Sequence, residues 1–166
     1  MGQERFRTLL ENGSTYLQDE RELLGFDPRK GWIQVTAHTA DLLAELAESR
    51  YVSKQDQARF LAAIAQWLTT ANEIFSHGEQ DRFASVAVAI VFRPDFDSER
   101  WGSWVAELDK GDQTVFEPSP PAVQAEQRFE NHSYFLCAAI AQSSLRPATS
   151  ASKNAQKALQ EVLRQR

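Results

Sequence analysis

The chain has 166 residues, of which 42% are hydrophobic, with ten Phe and four Trp, enough apolar material for a sizeable core in one unit. Its net charge of −5 argues against nucleic acid as a partner of the body, and no segment reaches the roughly 20 apolar residues that cross a bilayer. The start MGQERFRTLL lacks the apolar run of a signal peptide, so a cytoplasmic location is expected.

The residues between 3 and 24 carry Phe6, Leu9, Leu10, Tyr16, Leu17, Leu23 and Leu24 at helical spacing, which predicts a first helix with a weak point at Gly13. Gly25, Asp27, Pro28 and Gly31 predict a loop, because Pro28 pushes its predecessor out of helical geometry. The stretch GWIQVTAHTADLLAELA at 31–47 separates apolar from polar residues most clearly. Ile33, Ala37, Ala40, Ala44 and Ala47 form one stripe, widened by Val35, Leu42, Leu43 and Leu46; Gln34, His38, Asp41, Glu45 and Glu48 form another. That pattern predicts a core helix with one polar side.

Ser53 and Asp56 fit a capping arrangement, and Phe60, Leu61, Ile64, Trp67, Leu68, Ala71, Ile74 and Phe75 continue the helix that it opens. The short connection predicts antiparallel pairing with the helix before it. Ser76 and Glu79 again match a capping box, and Asp81 suits a helix start. The run Phe83–Phe92 is apolar all round and rich in β-branched residues, but the cap signal and the helical neighbours favour helix. After Arg93–Pro94, Asp97 or Ser98 can cap a short helix carrying Trp101, Trp104, Val105 and Leu108. KGDQTVFEPSPP at 110–121 is a Pro-rich loop; a long helix follows from Ala122 to about Ser143, and a last one carries Ala155, Leu159, Val162 and Leu163. The expectation is an all-α single domain over 1–166: about six helices in antiparallel hairpins, packed as a bundle or a short HEAT-like solenoid, with no convincing sequence repeat.

Charge is unevenly spread. From Arg146 to Arg166 five basic residues accompany one acidic residue, Glu161, so an acidic body carries a basic C-terminal helix, read as a solvated end attracted to its own body rather than as a nucleic-acid arm. The lone Cys137 allows neither an intrachain disulfide nor a cysteine-based zinc site, and within YFLCAAIA it reads as a small core residue.

His38 and Asp41 are one turn apart, with Gln34 a turn earlier, and Glu79 and Arg82 open a helix that can lie nearby. Two readings stay open. Either Gln34, His38, Asp41, Glu79 and Arg82 form a buried hydrogen-bonded network, or His38 and Asp41 mark a ligand or metal site completed by His77, Glu79 or Asp81, in a ligand-binding protein or hydrolase. The four tryptophans, Trp32, Trp67, Trp101 and Trp104, read as core before they read as a ligand pocket. No glycine-rich phosphate loop, histidine-glutamate zinc helix or nucleophile elbow is present. No cofactor is called for, and a non-enzymatic scaffold that takes a protein or peptide partner fits best; the sequence does not set the oligomeric state.

The blocks YLQDERELLGF, GWIQVTAHTADLLAELA, IFSHGEQDRFASVAVAIVFR and WGSWVAEL, within residues 16–108, resemble a bacterial family classed as a domain of unknown function. The resemblance implies an all-helical fold without an established activity, and it marks Gly31, Trp32, His38, Asp41, Leu42, Leu43, Glu79 and Arg82. Gln34 stands where the resemblance leads one to expect a second histidine, which weakens a paired-histidine metal site.

Overall fold

The computed structural model describes residues 2–19, 26–29, 31–32, 35–71, 73–109 and 123–166. Gln34, Ile33 and the Pro-rich loop at 110–121 lie outside the described residues, as does the side chain of Trp32. The fold is all-α. Seven helices are described: α1 (Gln3–Asp19), α2 (Val35–Ala47), α3 (Lys54–Thr70), α4 (Glu79–Val91), α5 (Ser98–Asp109), α6 (Val123–Ser144) and α7 (Ser150–Arg164). The core helix expected over 31–47 starts at Val35 rather than Gly31. Gly31 and Trp32 instead pair antiparallel, as β2 (Gly31–Trp32), with β1 (Phe26–Asp27).

Local signals explain several helix starts. Ser53 caps α3 in the expected reciprocal box with Asp56, and Thr149 with Ser152 builds a second box at α7 that the sequence reading passed over. Asp97 accepts from the Arg100 N–H at 3.1 Å and opens α5. The box expected at Ser76 does not form. Gly78 occupies the cap position of α4 with φ +86°, where a side chain would be strained, and the Glu79 carboxylate accepts from the His77 N–H at 2.9 Å. The apolar run after Glu79 is helical, because α4 is enclosed by its neighbours and needs no polar face.

Gly13 is not a break. α1 passes through it unbroken, and a Cβ there would meet Leu43 Cδ2 at 3.2 Å, so the missing side chain lets α1 and α2 approach. Phe6 lies against Tyr51 while Gly13 faces Leu43; as α1 ascends α2 descends, which makes them antiparallel. Arg166 reaches Phe129 and Ser133 while Gln156 reaches Ile140 and Ser144, so α6 and α7 are antiparallel too.

Consecutive helices are not always the main partners. α2 and α3 touch only slightly, whereas α2 packs most extensively on α4 and α4 on α6. Within this layer the helices run the same way: Arg82 meets Asp41 and Arg93 meets Ala47 and Ser49, so α2 and α4 ascend together. Asn131 meets Glu73 and Phe75 while Gln142 meets Asp81 and Ser85, so α6 follows the same direction. The odd-numbered helices form the other layer, with α1 on α3, α3 on α5 and α5 on α7. Between the layers lies a core centred on Phe6, Phe60, Trp67, Phe83, Phe135 and Leu136. The aromatic side chains gather there: Trp67, Phe75 and Phe83 lie within 6.2 Å of one another between ring centroids, and Trp101, Trp104 and Phe135 form a second group. Trp67, Trp101 and Trp104 are thus core residues.

Cys137 corrects the expectation of a buried thiol. It is exposed, because the turn of α6 that buries Phe135, Leu136, Ala138 and Ala139 points position 137 outward.

Candidate functional site

The polar side of α2 meets α4 at a surface. The carboxylate of Asp41 pairs with the guanidinium of Arg82, and His38 Nδ1 stands 3.9 Å from the same carboxylate. The side chains of His38 and Asp41 are 68% and 49% exposed, which rules out the buried network as expected. Helical spacing explains why: both residues lie on the edge of α2 that turns from the apolar stripe of Ala37, Ala40 and Ala47. Glu79 is buried, but its described partner is His77, through the backbone N–H at 2.9 Å and the imidazole at 4.0 Å, and not Arg82. The five predicted residues therefore divide. His38, Asp41 and Arg82 come together, Glu79 supports the start of α4, and Gln34 lies outside the description. Among the described residues no three His, Cys, Asp or Glu side chains assemble into a group able to hold a metal ion.

The buried polar residues sit elsewhere and clip loops to helices. Gln57 donates to the Asp95 carbonyl and accepts from the Asp97 N–H, both at 3.2 Å. Asn131 does the same for the α3–α4 connection, accepting from the Phe75 N–H at 2.8 Å and donating to the Glu73 carbonyl at 2.9 Å. Asp56 is 1% exposed and receives hydrogen bonds from the N–H and hydroxyl of Ser53 and from Arg7. Burial pushes its carboxyl up, but the hydrogen bonds from Ser53 and the Arg7 guanidinium outweigh burial and hold it below the usual carboxylate range.

Arg93 is the most connected of the residues that sequence reasoning missed. Its guanidinium donates to the carbonyls of Ala47 at 2.7 Å, Ser49 at 2.9 Å and Val52 at 3.3 Å, and its Nε donates to Asp95 at 2.9 Å. A cation thus closes the negative end of α2 and satisfies carbonyls that the helix leaves free. Arg146 acts similarly one turn further along the layer, pairing with Glu48 at 3.1 Å and lying 5.6 Å above the Phe92 ring. Arg50 lies over Tyr51 in its own turn.

These three arginines share a setting. Each follows the end of an even-numbered helix by two or three residues and precedes the helix-capping residue, Ser53, Asp97 or Thr149, by three or four. The three turns thus resemble one another in the placing of an arginine and a capping residue. A cleft of about 480 Å³ opens along this edge, lined in part by Glu48, Arg50, Phe92, Arg93 and Arg146. Its guanidiniums are engaged by carbonyls, two carboxylates and a phenol, so the edge serves first to hold successive turns together.

No helix among the described residues is long and apolar enough to cross a membrane. No curated protein and no solved structure matches the chain. Residues 1–138 match the sequence model of a family described as "Protein of unknown function (DUF2785)", a span that holds α1 to α5, most of α6 and the whole His38–Asp41–Arg82 surface. The chain belongs to that family.

Proposed function

We propose that the protein is a non-enzymatic helical-repeat scaffold that binds a protein or peptide through the exposed side of α2 and its junction with α4. The observation that carries this reading is the exposure of His38 and Asp41 beside Arg82: a cation, an anion and an imidazole are presented to solvent on a rigid helix pair, as recognition of a partner surface requires. Two layers of stacked helices supply the rigid backing. A hydrolase or metal site at His38 and Asp41 would need a third group to complete it, and the described neighbours supply an arginine instead.

Affinity capture with the tagged chain tests the reading. A stoichiometric protein partner that is retained by wild type and lost with Asp41→Arg supports it. A metal or small molecule that co-purifies with wild type and disappears from both His38→Ala and Asp41→Ala overturns it.

A further inference from the structure

The two ends of the even-numbered layer are open in complementary ways, and from this we infer that one copy of the chain docks head-to-tail on another, the exposed flank of α2 lying against the exposed flank of α6. The inference rests on the scaffold reading and names the partner of the same surface: a second copy.

The internal steps of the layer give the rule. In going from α2 to α4, Arg93 reaches back over the preceding turn to the carbonyl of Ser49. In going from α4 to α6, Arg146 reaches back over Phe92. Ser49, Phe92 and Leu145 each immediately precede a turn arginine. The first two are covered by the arginine of the following turn, whereas Leu145 is 86% exposed. At the other end of the layer Arg50 has no preceding turn to reach, and it folds onto Tyr51. One end carries an uncovered residue, and the other an arginine without the contact that its counterparts make.

The helix flanks agree with the turns. α4 meets α6 along the side of Asp81 and Ser85. The exposed side of α6 carries Tyr134, Cys137, Ala141 and Leu145, with Tyr134 44% exposed, while Ala138 is buried in the core. This is an apolar stripe where the next parallel helix of the layer would lie. α4 meets α2 along the side of Arg82. The exposed side of α2 carries His38, Leu42 and Glu45. Docking α2 of one copy on α6 of another continues the α2–α4–α6 stacking, with Arg50 of the incoming copy covering Leu145. The contact is heterologous, so it builds open chains of copies rather than closing as a two-fold dimer.

Sedimentation of the purified chain tests the inference. Wild type should rise above its monomer mass of 18.8 kDa as concentration increases. Leu145→Glu and Arg50→Glu should each remain monomeric while keeping the wild-type melting temperature, since both side chains are exposed. Mixing the two variants is the decisive arm. Each retains one intact end, so the mixture should form a one-to-one dimer that grows no further, and Tyr134→Glu in place of Leu145→Glu should give the same result. A wild type that stays monomeric at the highest attainable concentration, or a mixture that stays monomeric, overturns the docking. If affinity capture then still yields another protein in an Asp41-dependent way, the scaffold reading survives without it.

Discussion

Asp56 and Asp41 are both aspartates paired with an arginine from a neighbouring helix, and they differ in almost every physical respect. Asp56 sits at the start of α3, 1% exposed, bonded to the N–H and hydroxyl of Ser53 and to Arg7. Asp41 lies on the surface of α2, about half exposed, with Arg82 on one side and His38 at the edge of reach. A buried carboxylate must be fully bonded, because an unmet charge away from water is costly. An exposed pair contributes little, since water and salt screen it. The Asp56 group therefore holds helices together, while the Asp41 group stays open to solvent. Arg93, with a side chain only 10% exposed, belongs with Asp56.

The largest effect that would break this contrast is at Arg93. Arg93→Ala strips donors from the carbonyls of Ala47, Ser49 and Val52 and should cost roughly 3 kcal/mol, as expected for several charge-assisted bonds to partly buried acceptors. Arg93→Lys should recover less than half of that, since an ammonium cannot reproduce the fork. Urea unfolding of the two variants measures both values, and a loss at Arg93→Ala no larger than at Asp41→Ala would remove the distinction.

Asp56→Ala should cost about 2 kcal/mol, from an open helix start and an unpaired Arg7. The pH dependence has a defined sign. The Asp56 carboxyl is held below its usual range in the folded state, so its contribution to stability is fully present above the unfolded value of about 3.9 and is lost as pH falls through the folded value. Asp56→Asn should be less stable than wild type at pH 7, and the gap should narrow as pH drops below about 4. Denaturation midpoints across that window check the sign.

Asn131→Ala should cost about 1–2 kcal/mol, because the Phe75 N–H and the Glu73 carbonyl lose their side-chain partner. Its signature is local, a loss of hydrogen-exchange protection at the Phe75 amide that exceeds the global change.

The smallest effects are expected at the surface group. Asp41→Ala should change stability by less than about 1 kcal/mol, and the coupling between Asp41 and Arg82 in a double-mutant cycle should be roughly 0.5 kcal/mol at low salt and weaker at high salt. His38→Ala should leave melting nearly unchanged. Non-additive losses of several kcal/mol at His38 and Asp41 would return both to the buried network that the sequence pattern favoured.

The sequence by itself determined the helices and several of their starts. Apolar positions recur with a period near 3.6, and a capping residue such as Ser53 acts within three residues of the chain, so this information is local. The same periodicity correctly gathered Ala37, Ala40, Phe60, Ile64 and Leu68 into the core. It also placed His38, Asp41 and Arg82 near one another. Tertiary packing decided what local pattern cannot encode: which helix lies beside which, and therefore which polar residue meets water. Gln57 and Asn131 look like interruptions of apolar stripes, yet they are buried because backbone from 95–97 and 73–75 crosses them. His38 and Asp41 look like members of a buried network, yet no described helix lies over their flank of α2, which leaves their side chains largely in solvent. Gly13 reads as a weak point until Leu43 fills the space that its missing side chain leaves. Burial is a property of neighbours distant in sequence, and here it separates the aspartate that holds the fold from the aspartate that faces outward.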